Sequence, residues 1–150
     1  MFTGRQAGIL VVLGGMFWLS ALAYLRGLPQ LLTDPFWNPL NFASTVSVAW
    51  TAVYLIRRLA GLAPEQLMAG VGLVGAVVMV TDGLVLNWFP RIYGPNDTVS
   101  RLAGAWLLWG YGFSLAAALL MARAGQRAAT VGGDAPAQSP AQSPAAVTPP

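Results

Sequence analysis

The chain has 150 residues, of which 56% are hydrophobic and only 9% charged, with a formal net charge of +3. A soluble domain carries about a quarter of its residues as charges, so this composition excludes a water-covered globule and points to an integral membrane protein. Cys, His and Lys are absent, which excludes disulfide and dithiol redox chemistry and reduces the usual zinc and haem ligands to Met and carboxylates.

No cofactor or metal is expected without His and Cys, and no nucleic-acid partner, because the Arg residues stand beside apolar runs, where they act as topology determinants. The lipid bilayer is the expected partner, and the Arg-, Ala- and Gly-rich usage suggests a bacterial origin. The fold expected is an all-α, four-transmembrane-helix bundle over residues 1–127, with spans at about 7–25, 40–58, 66–89 and 99–122. A disordered Ala-, Pro-, Gln- and Ser-rich tail is expected over 128–150.

The first run follows Arg5 and is apolar except for Ser20 and Tyr24, long enough to cross a hydrocarbon core of about 30 Å. Ala21-Leu22-Ala23 has the small-residue spacing of a signal-peptide cleavage site, but an uncleaved first span is expected, because three more follow. Residues 26–38 hold Pro29, Asp34, Pro35, Phe36 and Trp37, and this broken aromatic stretch is expected at the membrane interface. Asn38-Pro39 then suggests an N-cap followed by proline at the first helical position. In the second span Ser44, Ser47, Thr51 and Tyr54 fall on one helical face. That face is expected either to meet other helices or to bond back to its own backbone.

Arg57-Arg58 closes the second span, and Ala63-Pro64-Glu65 suits the start of the third. The third span holds the one acid inside an apolar run, Asp82. An ionised carboxylate at that depth costs about 2.5–3.5 kcal/mol even on the lenient insertion scale, so a donor should meet it. Asp82 lies seven residues in from Phe89, about 10 Å at the helical rise. Trp18, Ser47 and Trp109 reach equal depth on the other spans, and each carries a donor. Asp82, Ser47, Trp109 and Trp18 therefore form the candidate polar cluster. Arg101 is expected to snorkel outwards rather than pair with the acid.

Asn96 or Asp97 can cap the fourth span, whose Gly104, Gly110, Gly112 and Ala116–Ala118 offer small surfaces for close backbone approach. Arg5, Arg57, Arg58, Arg123 and Arg127 share one side of this topology, against Arg26, Arg91 and Arg101 on the other. The excess places both termini in the cytoplasm.

The stretch from Phe89-Pro90 through Tyr93 to Ala105-Trp106-Leu107-Leu108-Trp109-Gly110-Tyr111-Gly112 resembles an uncharacterised family of small bacterial four-span membrane proteins. The resemblance implies a bacterial inner-membrane location and supplies no activity and no catalytic residue. Small multidrug-resistance transporters are similar in size but carry their embedded acid in the first span. The quinone-linked disulfide-forming proteins need cysteine pairs. Phosphate-cradling loops, Ser-His pairs and Cys-His pairs are missing.

Three functional readings remain open. The first is an accessory or structural subunit acting by helix contacts, as a homo-oligomer or with a membrane-protein partner. The second is a small transporter using Asp82 as a proton or cation site. The third, a membrane enzyme, would rest on one acid without a second acid or His.

Overall fold

The computed structural model describes residues 2–133, with side chains through residue 128. It consists of α1 (Gly4–Gly27), the single turn α2 (Gln30–Thr33), α3 (Trp37–Ala60), α4 (Leu67–Trp88) and α5 (Asp97–Gly133). Two 3-10 turns, Pro64–Gln66 and Pro90–Ile92, lead into and out of α4, and no strand occurs among the described residues. Four of these helices are long and apolar enough to cross a membrane. The protein is an all-α membrane bundle.

Local chemistry starts and stops each helix. The Thr3 hydroxyl accepts from the Gln6 N–H at 3.2 Å while the Gln6 side chain accepts from the Thr3 N–H at 3.0 Å, a reciprocal cap on α1. At α3, Asp34 rather than Asn38 supplies the acceptor: its Oδ1 takes the N–H groups of Phe36 and Trp37 at 2.8 and 3.0 Å. Asn38-Pro39 is therefore not the cap that the dipeptide suggests. Asn38 lies inside the first turn of α3 and donates its side-chain amide to the Leu32 carbonyl at 2.7 Å. Gly61 ends α3 at φ 59°, a left-handed position that glycine takes without steric cost. Asn96 caps α5 by accepting from the Val99 N–H at 3.0 Å.

The helix ends differ from the expected spans. α5 runs through Gly133, six residues into the segment assigned to the tail, and the rest of that segment lies outside the described residues. With 37 residues α5 is about 55 Å long at the helical rise, well beyond a hydrocarbon core of about 30 Å. A helix of this length cannot lie wholly within one crossing of that core.

Round the bundle, α1 packs on α4, α4 on α5 and α5 on α3, while α1 and α3 touch sparingly. Two buried clusters hold the ends. One joins Leu10, Val53, Leu67, Val74 and Ala118 near the chain's N-terminal side. The other joins Leu25, Leu32, Tyr93, Val99 and Ala103 at the opposite side. In lipid these clusters gain no water exclusion, so close packing and internal hydrogen bonds have to supply the cohesion. The Gln6 amide, 3.3 Å from both the Ala60 and Gly61 carbonyls, places the start of α1 beside the end of α3.

Apart from Ser44, which borders the space between the helices, the hydroxyl face of α3 does not turn inwards. Ser44, Ser47, Thr51 and Tyr54 are all exposed, and the buried face is Asn41, Thr45, Ala49, Val53, Ile56 and Ala60. Ser44 and Thr51 donate to their own helix at Asn41 and Ser47, at 2.8 and 2.9 Å, while Tyr54 accepts from Arg58 at 3.2 Å. Back-bonding leaves the Ser44 and Thr51 hydroxyls with little to gain from a neighbouring helix.

Candidate functional site

Asp82 sits six residues before the end of α4 and is 7% exposed. Two donors meet its Oδ1. The Trp18 indole N–H on α1 lies 2.9 Å away, and the Tyr93 hydroxyl donates to the same oxygen. The Trp18 N–H is also 2.9 Å from the Tyr93 oxygen, so one N–H is shared between two acceptors. The result is a closed triangle joining α1, α4 and the connection that leads into α5.

Tyr93 comes from the loop between spans yet is fully buried. The turn Pro90–Ile92 folds the chain back under the bundle, and two further bonds hold it there. The Arg26 guanidinium donates to the Ile92 carbonyl at 3.3 Å, and the Ser100 hydroxyl to the Pro90 carbonyl at 2.8 Å. Burial, and after it the hydrogen bond and negative charge of Asp82, push the Tyr93 phenol above its ordinary 10.0.

Of the expected cluster, only Trp18 is brought to Asp82. Ser47 is exposed on α3. The Trp109 indole donates instead to the Phe42 carbonyl at 3.1 Å, and its ring packs edge-on against Phe113 at 5.1 Å. Equal depth is a weaker condition than equal face: helix rotation turns Ser47 outwards and directs Trp109 to α3. Arg101 is exposed and forms no ion pair with Asp82. Sequence reasoning missed Tyr93, because a residue in the connection between two spans carries no helical periodicity to mark it as buried.

A second polar link holds the same side of the bundle. The Tyr24 hydroxyl donates to Asn41 Oδ1 at 2.7 Å, and the Asn41 amide reaches the Leu31 carbonyl at 3.5 Å. Tyr24 also stacks on Trp106, with ring centroids 5.4 Å apart.

Between the two buried clusters lies a cavity of about 420 Å³ lined from all four long helices. The size falls in the range of small-ligand sites, roughly 300–1,000 Å³. Among its described lining residues none is charged, and Asp82 is not one of them. Ser20, Ser44, Thr45 and Ser114 reach the lining, but each hydroxyl donates to a carbonyl of its own helix at 2.6–2.9 Å. Two lining groups differ. The Trp106 Nε1 and the Tyr111 hydroxyl are buried and have no hydrogen-bond partner among the described residues. A buried donor left unpaired costs about 1–3 kcal/mol, so this pair is a local departure from an otherwise satisfied interior.

Comparison of the chain with protein-family models, with curated proteins and with solved structures gave no match.

Proposed function

We propose that this multi-pass membrane protein is an accessory or structural subunit that acts through helix contacts. The observation that carries this reading is the closure of Asp82. Its oxygen is met by Trp18 and Tyr93, and the acid takes no part in lining the interhelical cavity. A carrier needs a wet path to its coupling acid, whereas an acid enclosed by an indole and a phenol acts as a fastener between elements. The transporter reading is correspondingly weaker.

Outward faces supply the contact surface. Gly72, Ala76 and Gly83 on α4 are exposed, as are Gly112 and Ala116 on α5. A Cβ added at Gly72, Gly83 or Gly112 would meet nothing within 4 Å. Small residues four apart allow another backbone to approach closely in lipid. The partner is a second copy or another membrane protein. The membrane is a bacterial cytoplasmic membrane with both termini inside, in keeping with the Arg distribution and the motif resemblance.

Because the chain lacks Cys, single substitutions Gly72→Cys and Gly112→Cys give clean cross-linking sites. Oxidation in native membranes should trap a discrete adduct from at least one of them, and Val12→Cys on exposed α1 serves as the control. Proteoliposomes of the full chain should show no proton flux that Asp82→Asn removes. Asp82-dependent flux, with no specific adduct, would replace the contact reading by the transport reading.

A further inference from the structure

The geometry points to the interhelical cavity as a binding site for a neutral, lipid-soluble molecule bearing a carbonyl oxygen. Charge is excluded first: the lining holds no ionisable group that could pair with an ionic ligand at neutral pH. Polarity of the ligand follows from the donor inventory. The lining hydroxyls of Ser20, Ser44, Thr45, Ser114 and Tyr24 already donate within the protein. Trp106 and Tyr111 keep an uncommitted N–H and O–H. An indole N–H can only donate, and a phenol O–H donates readily. What the cavity lacks is therefore an acceptor.

The entry route follows from exposure. Ser20 on α1 and Ser44 and Val48 on α3 are the exposed members of the lining, so the mouth lies at the sparsely packed α1–α3 seam. Val48 is the twelfth of 24 residues in α3, so the seam opens near mid-membrane, towards hydrocarbon. A molecule dissolved in the bilayer can enter there without crossing water. Both donor atoms are shielded by their neighbours, the Tyr111 hydroxyl by Gly75 of α4, so a ligand oxygen meets them only when the two rings turn towards the cavity. A carbonyl of this kind comes from the ester of a neutral diacylglycerol or from the ring of a lipid-soluble quinone, and the wall made by the stacked Tyr24 and Trp106 rings accommodates either.

The full-length chain in a carbonyl-free maltoside detergent provides the test. Thermal midpoints are measured against a short-chain diacylglycerol, a short-tailed benzoquinone and an oxygen-free alkane of matching length. A ligand that binds only the folded state raises the midpoint saturably. At least one carbonyl probe should do so and the alkane should not; which one responds identifies the source. Trp106→Phe and Tyr111→Phe should each weaken that probe about five- to tenfold, as expected for loss of one hydrogen bond. Ala52→Phe, which fills the cavity from α3, should abolish the response. Ala21→Phe fills it from α1 if the first variant does not fold. A response that survives filling, an alkane that matches the carbonyl probes, or no response to any probe would overturn the assignment. No variant here touches the Asp82 triangle, so failure would leave the contact reading standing on its own test.

Discussion

The Tyr111 hydroxyl lies where a side chain on Gly75 would begin: a Cβ at position 75 would overlap that oxygen. Glycine at this point on α4 is what lets the phenol of α5 reach the middle of the bundle. Gly75→Ala should therefore displace the ring and destabilise the protein by about 1–3 kcal/mol, the range for overpacking a filled interior. Thermal unfolding in detergent measures this. Tyr111→Phe in the same chain removes the nearest clashing atom and should recover part of the loss, a coupling that a double-mutant cycle reads directly.

The triangle of Trp18, Asp82 and Tyr93 should behave as one unit. Trp18→Phe or Tyr93→Phe alone should cost about 1–3 kcal/mol, because each leaves a buried acid short of a donor. The double variant should cost clearly less than the sum of the two. Additive losses in denaturant or thermal titrations would mean that the three groups are not coupled.

Tyr93 also sets an alkaline limit. Its phenol is raised above the unfolded value of 10.0, so the folded chain binds the proton more tightly than the unfolded chain. The stabilisation is complete below about pH 10 and is lost as pH rises from there through the higher folded value, with a slope approaching 1.4 kcal/mol per pH unit. Unfolding midpoints between pH 9 and 11.5 should fall more steeply in the parent protein than in Tyr93→Phe. Parallel curves would show that Tyr93 does not titrate with unfolding.

Topology is checked by reporter fusions after Gly61, Pro95 and Arg127, which should read inside, outside, inside. The Arg distribution motivates the order, and a reversed pattern would turn the bundle over without altering its packing.

Much of the architecture was legible in the sequence because hydrocarbon imposes one strong rule. Backbone polar groups must be satisfied within the segment, so long apolar runs have to be helices. Composition, run length and a terminal residue such as Asn96 then delimit those helices. The isolated acid was legible for the same reason, since a carboxylate in an apolar run stands out by its cost. Rotation of each helix was not. In lipid an outward hydroxyl that bonds its own backbone costs little, so the Ser44–Tyr54 face carries no signal for which way it turns. Only the packed structure decides that Ser47 looks outwards, that Trp109 reaches the Phe42 carbonyl, and that Tyr93 folds back from a loop to close on Asp82. The cavity is likewise a tertiary outcome: it exists because α1 and α3 separate between two well-packed ends, and residue spacing along one helix cannot encode the distance to another.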